Sequence, residues 1–239
     1  MKTFRITAML FIAFIVTVGL SAQSADDVIK DYIDAVGGQK KLDKITSLQM
    51  KSQIESDMFE AEALTTVLNG KGYKMEMDVM GYLVETCFTD TEGWRTDPMA
   101  GTTITIPDEE YQMGKGAIYV AGAFQNYKEL GMKAEMVGKK DVMGVNTHHI
   151  RLSKEGSEIS TNHFFDPKSH LLIRTSVVVE SDQGEMEAIT DYKEYKEIDG
   201  GVKIAHVMDI DYGGQMMMTN TISEVKVNID VDESIFKSE

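Results

Sequence analysis

From Leu48 onward the chain alternates. Leu48, Met50 and Ile54 are apolar, while Gln49, Lys51, Gln53 and Glu55 between them are polar. That two-residue period belongs to a strand with one face buried. Tyr73, Met75, Met77 and Val79 alternate in the same way with Lys74, Glu76 and Asp78. Val202, Ile204, Met208, Ile210 and Tyr212 alternate with Lys203, Asp209 and Asp211. The pattern predicts strands over 48–55, 58–68, 73–79, 83–89, 132–140, 146–154, 157–165, 170–181, 185–197, 202–212 and 215–227. The breaks are turn-like: Asn69-Gly70, Asp90-Thr91-Glu92-Gly93, Gly144, Lys154-Glu155-Gly156, Asp166-Pro167-Lys168, Ser181-Asp182-Gln183-Gly184, Asp199-Gly200-Gly201 and Gly213-Gly214. Connections this short make an antiparallel meander. About ten or eleven strands are more than a flat sheet carries easily, so the sheet should curl.

Helical periodicity appears in two places. Val28, Ile29, Tyr32, Ile33 and Val36 recur at helical spacing within 25–45, with Asp26 and Asp27 at the N-terminal end and a break at Gly37-Gly38. Pro107, followed by Asp108, Glu109 and Glu110, opens a second helix expected to reach Ala121, although Gly114 and Gly116 weaken it. A short third helix is expected over 124–130. These apolar stripes need a surface to cover, and the inside of the curled sheet offers one.

Ahead of this pattern the chain carries Lys2 and Arg5, then an uncharged apolar run from Ile6 to Leu20, then Ser21-Ala22-Gln23-Ser24-Ala25. A short apolar core behind a positive start and before small residues reads as a secretory leader, cleaved near 22–25. The run is too short for a comfortable membrane span. The expected mature protein is periplasmic, one domain over 23–239, without stable membrane insertion. No cysteine lies near the cleavage region. Cys87, the single cysteine, permits no intramolecular disulfide and reads as a small buried hydrophobe on a strand.

Charge narrows the partners. The net charge of −15 becomes −17 once Lys2 and Arg5 leave with the leader. Such a surface repels phosphate backbones and anionic head groups, so nucleic acid is excluded as a partner. Methionine is over-represented, with 17 in the chain. It serves either as loose core filling or as the wall of an adaptable apolar cavity.

Candidate chemistry is sparse. His148, His149, His163, His170 and His206 show no metal-ligand spacing. His148 and His149 are adjacent on a strand and face opposite ways. A weak metal site joining His163 and His206 across strands is conceivable. There is no G-x-S-x-G elbow, no P-loop and no dinucleotide fingerprint. The sequence therefore points to no catalytic residue, no metal and no cofactor. Trp94, the only tryptophan, follows a turn and reads as a packing anchor at the sheet edge or as a cavity wall. Met216-Met217-Met218 must point both ways along a strand, so at least one faces outward or lines an opening.

Several short motifs carry a resemblance. They are Ala35-Val36-Gly37-Gly38 with Leu42, Ile45, Ser47 and Leu48; Asp90 with Gly93-Trp94; Tyr127-Lys128 with Gly131; Phe165-Asp166-Pro167 with Leu171; and Asp191-Tyr192. In this order, behind a leader, the chain resembles the LolA-like outer-membrane lipoprotein-sorting family, and more closely its uncharacterised secreted relatives. One departure is visible. Where such relatives often carry a proline in the penultimate long strand, this chain reads Lys203-Ile204-Ala205-His206. The resemblance implies a mainly β, α+β fold: a strongly curved antiparallel sheet forming an incomplete barrel, with a helical lid over an apolar cavity that takes acyl chains. It implies a carrier of a lipid or lipoprotein acyl chain, not an enzyme, exchanging cargo with a membrane-protein donor or acceptor. A periplasmic sensor acting through protein contacts is the alternative on the same fold, and an unrecognised hydrolase a third reading. The cavity residues expected on this basis are Tyr73, Met75, Met77, Trp94, Met208, Ile210, Tyr212, Met216 and Met218.

Overall fold

A computed structural model describes residues 23–97, 100–181 and 184–238. The leader and the Asp182-Gln183 part of one expected turn lie outside the described residues. The chain opens with helices α1 (Ala25–Ala35) and α2 (Gln39–Leu42). Six strands follow: β1 (Ser47–Ser56), β2 (Glu60–Leu68), β3 (Gly72–Val79), β4 (Tyr82–Thr89), β5 (Gly93–Thr96) and β6 (Thr103–Thr105). A lid then holds α3 (Asp108–Gly114) and two 3-10 turns, Lys115–Ile118 and Gly122–Gln125. Seven more strands complete the sheet: β7 (Met132–Val142), β8 (Val145–Lys154), β9 (Ser160–Phe165), β10 (Leu172–Ser181), β11 (Gly184–Ile198), β12 (Val202–Tyr212) and β13 (Met217–Val227). A 3-10 turn at Glu233–Phe236 ends the described chain.

All thirteen strands form one antiparallel sheet in the order β6-β5-β4-β3-β2-β1-β13-β12-β11-β10-β9-β8-β7. Two meanders, β1–β6 and β7–β13, join through the single pairing of β1 with β13, where Leu48 faces Val227 and Ile54 faces Asn220. The sheet curls around the helices but does not close: β6 and β7 are its opposite edges. The lid is the connection between those edges, so it spans the opening from one side to the other.

The sequence expectation of ten or eleven strands is two short. The missing ones are β5 and β6, which follow the Asp90–Gly93 turn and are too brief to show a period. The expected helix from Pro107 to Ala121 stops at Gly114. Beyond it Gly116 lies against Ala123 so closely that a Cβ there would sit 2.5 Å from the Ala123 Cβ. This contact packs the two 3-10 turns together and leaves no room for a continuous helix. The expected helix over 124–130 is likewise reduced to the end of the second 3-10 turn and turns after it. Strand β9 begins at 160 instead of 157, because the preceding amides are engaged by the lid.

Helix α1 is fixed at its start by a capping box. Ser24 accepts from the Asp27 amide at 3.2 Å, and the Asp27 carboxylate accepts from the Ser24 amide at 3.0 Å. Its buried stripe is Val28, Ile29, Tyr32 and Ile33, each worth about 1.5–3 kcal/mol of transfer free energy. The helix ends where Gly37 adopts φ 132, and a Cβ on that residue would lie 2.8 Å from the Gly201 carbonyl oxygen. Only glycine allows this approach, and it lets the Lys203 amide donate to the Val36 carbonyl at 2.8 Å. The Ala35–Gly38 motif thus docks α1 onto the start of β12.

Candidate binding cavity

Register assigns the faces. Tyr73 pairs with Val67, Val67 with Leu48, and Leu48 with Val227. Met208 pairs with Tyr192 and with Asn220. These positions form the concave face. Between this face, α1 and the lid lies a cavity of about 360 Å³, within the range usual for small-molecule sites. Its sheet wall includes Leu48, Met50, Val67, Tyr73, Met208 and Ile222. Its roof is Tyr32 from α1 and the lid run Tyr119-Val120-Ala121-Gly122-Ala123-Phe124. The small residues at the centre of that run leave the space open.

Polar contacts on several sides hold the lid. The Gly70 amide, in the Asn69-Gly70 turn, donates to the Ile118 carbonyl at 2.9 Å. Asp26 of α1 accepts from the Tyr127 hydroxyl at 2.5 Å and from Lys128 Nζ at 2.6 Å. The Lys128 ammonium and the Tyr127 hydroxyl hold the Asp26 carboxyl below its ordinary range. Helix α3 reaches both sides of the opening: Glu110 pairs with Arg95 of β5, and Glu109 Oε1 accepts from the Glu158 and Ile159 amides at 3.0 and 3.3 Å.

Tyrosines supply most of the polar atoms around the cavity. Tyr195 donates to the Leu172 carbonyl at 2.9 Å. Tyr192 shares a 3.4 Å contact with Thr175 Oγ1. Burial pushes the hydroxyls of Tyr32, Tyr192 and Tyr195 up, and that of Tyr73 to about 12, so all four stay protonated and neutral. Among the described residues His163 is the one imidazole in the wall. Its Nε2 lies 2.8 Å from Thr161 Oγ1, and its ring meets Phe124 edge-on at 4.6 Å. Its Nδ1 is buried with no protein partner. Burial first, and His149 second, push its pKa down to about 3.

The residues expected from the sequence separate into groups. Tyr73 and Met208 line the cavity. Met75, Met77, Ile210, Tyr212 and Met218 share the concave face beyond it, since Met75 pairs with Thr65 next to Val67 and Ile210 pairs with Met218. All five are half-buried. Met216 lies in the β12–β13 turn, and its carbonyl accepts from the Tyr212 amide at 2.9 Å. Trp94 is on the other side of the sheet. It pairs with Cys87, which pairs with Lys74, so all three alternate away from Tyr73. It therefore walls an outer cluster with Cys87 and Phe236, not the cavity.

The five histidines also separate. His149 stacks on Phe164 at 4.6 Å on the convex face, while His148 pairs with Phe165. His206 contacts the Ile204 carbonyl of its own strand at 3.2 Å. His170 approaches Asp31 at 3.7 Å. Among the described residues no group of three or more side chains is arranged to hold a metal ion. His163 lies in the cavity wall, away from the metal pairing with His206 that the sequence allows. The usable signal was its phase: it alternates with Phe165, which places it on the apolar face.

The turns joining β1–β2, β3–β4 and β12–β13 lie at one end of the sheet, as the facing of Ser56 with Met218 requires. Met58, Met80, Tyr82 and Met217 are exposed there, by 61–81%. The half-buried stripe from Met77 to Met75 leads from that end toward Tyr73 and the cavity.

No protein-family model matches the sequence, and no curated protein matches it. Solved structures do. A LolA superfamily protein from Nitrosomonas europaea is 12% identical with a TM-score of 0.61, over 91% of this chain and 99% of that one. An outer-membrane lipoprotein-sorting protein domain from Vibrio parahaemolyticus is 10% identical with a TM-score of 0.56, over 88% and 95%. A DUF1329 family protein from Desulfovibrio piger is 10% identical with a TM-score of 0.55, over 87% and 97%. The chain therefore has the LolA-type fold, an open antiparallel half-barrel with a lid. Among the described residues no helix is long and apolar enough to cross a membrane.

Proposed function

We propose that this protein is a periplasmic carrier or binding protein for the acyl chain of a lipid or lipoprotein, working by burial and not by catalysis. The observation that carries the reading is the apolar cavity of about 360 Å³ between lid and sheet. Each buried methylene is worth about 0.8 kcal/mol, so part of an acyl chain supplies useful affinity. The likeness in fold to a lipoprotein-sorting domain supports the same class of cargo. Cargo enters from the end carrying Met58, Met80, Tyr82 and Met217, where a membrane-protein donor or acceptor would dock. It then passes along Met77 and Met75. Methionine suits that path because it adapts to chains of different shape.

The test is native mass spectrometry of the protein purified from its own envelope, with organic extraction of what co-purifies. A stoichiometric acyl-containing species is expected. Met208→Trp, which fills the cavity wall, should retain the fold and lose that species. A clean unliganded mass that stays unchanged after incubation with total envelope lipid would sink the reading.

A further inference from the structure

We propose that His163 is a polar selector inside the cavity, and that the preferred ligand is a single-chain acyl amphiphile with an uncharged hydrogen-bonding linkage, an ester, amide or alcohol, over a free fatty-acid anion. The inference rests on the acyl-binding reading above and specifies the chemistry of the cargo.

The argument is an accounting of polar atoms. A buried donor or acceptor without a partner is costly, and most are satisfied. Among the described residues, three buried side-chain atoms have no protein partner: Asn69 Oδ1, His163 Nδ1 and Asn220 Oδ1. Of these three residues only His163 lines the cavity. Two of the tyrosine hydroxyls that line it are engaged: Tyr195 with the Leu172 carbonyl and Tyr192 with Thr175. The imidazole is itself 91% buried, at 9% exposure. A buried, unengaged polar atom in a mostly apolar wall is how such sites fix the orientation of a ligand.

The chemistry of that atom restricts its partner. Thr161 can donate to Nε2 or accept from it. In the first case Nδ1 carries the proton and donates to a carbonyl. In the second it accepts from a hydroxyl or an amide N–H. Both states are neutral, which agrees with a ring whose burial resists protonation. A carboxylate would need a cation here. Among the described residues Lys203 is the one lysine bordering the cavity, and it is exposed. An anionic head buried beside a neutral imidazole pays its desolvation without a counter-charge.

The test compares monolauroylglycerol with laurate at pH 7.5 by titration calorimetry, using the whole purified protein and its His163→Phe variant. Monolauroylglycerol should bind the wild type roughly tenfold more tightly than laurate, the scale of one buried hydrogen bond. In His163→Phe, monolauroylglycerol binding should weaken by roughly that tenfold while laurate binding changes little. A second measurement needs no variant: the ¹⁵N resonance of His163 Nδ1 should shift when monolauroylglycerol is added. If both probes bind with equal affinity, or monolauroylglycerol binds His163→Phe as tightly as the wild type, or Nδ1 does not shift, the selector role is overturned while the acyl cavity stands. If neither probe binds, the acyl-binding reading itself falls, and this inference with it.

Discussion

Tyr192 and Tyr195 are three residues apart on β11, yet both line the cavity. Strict alternation would put them on opposite faces. Glu194, between them, has φ 50, and this left-handed residue resets the phase so that Tyr195 turns inward to Tyr32 and Leu172. Such backbone costs a non-glycine residue about 1–2 kcal/mol. Glu194→Val should cost about 1–3 kcal/mol more in denaturant unfolding, because a β-branched residue tolerates this region least. Glu194→Gly should keep both the fold and the Tyr195 contact. Equal stability of the valine variant would show that the phase reset is not needed.

The sheet was legible in the sequence because its signal is local. Tyr73, Met75, Met77, Met208 and Ile210 declare one face by alternation alone, and Asn69-Gly70 and Gly213-Gly214 mark their own turns. What was not legible depends on distant partners. Trp94 lies on a strand of only four residues, so its phase could be set only through Cys87. The lid's breakdown into 3-10 turns follows from Gly116 meeting Ala123. His163 became interesting only once its two ring nitrogens could be told apart by what they touch.

The outer cluster provides a reporter. Trp94 Nε1 donates to the Phe236 carbonyl at 2.9 Å, and Cys87 Sγ lies 3.4 Å from the same oxygen. The Phe236 ring covers Gly72, where a Cβ would come within 2.8 Å of it. Phe236→Ala should therefore destabilise the protein by about 3–5 kcal/mol and shift Trp94 emission to the red. It should also expose Cys87, whose thiol burial pushes up to about 12. Alkylation of Cys87 by iodoacetamide should be slow in the wild type and faster in the variant. Equal labelling rates would contradict the packing of the C-terminal turn on this face.

Glu109 is the hinge point of lid retention on the β8–β9 side. Glu109→Ala removes acceptors for the Ser157 hydroxyl and for the Glu158 and Ile159 amides. These bonds are exposed, so the global loss should be small, about 0.5–1.5 kcal/mol. The local effect should be larger. Amide hydrogen exchange at 158, 159 and through α3 should speed up while β1 and β13 remain protected. Uniform exchange across the lid and sheet would mean that α3 does not open separately.

His163 makes stability depend on acid. Its folded pKa of about 3 lies below the ordinary 6.5. Above pH 6.5 neither state holds the proton, and its titration contributes nothing to stability. As pH falls from about 6.5 to about 3 the unfolded chain takes a proton that the folded chain refuses. Stability should then fall by about 1.4 kcal/mol per pH unit from this group. Carboxylates such as Asp26 and Asp209, held low by Lys128 and Lys193, also lose stability in acid, but they do so equally in a variant. Urea unfolding at several pH values should therefore show His163→Gln gaining on the wild type as pH drops below 6.5. A constant difference between the two would mean that the ring is protonated in the folded state.

The single seam between β1 and β13 also sets a timetable. Every other sheet pairing joins neighbours in sequence, so each meander can assemble from nearby contacts as it emerges. Leu48 cannot meet Val227 until almost the whole chain exists, and closing a loop of that length is a slow, entropically costly step. The seam should be the last part of the sheet to gain protection in pulse-labelled refolding. Until then the two halves are separate ribbons, each with an unpaired inner edge. For a nascent chain that interval is the period of greatest exposure to self-association.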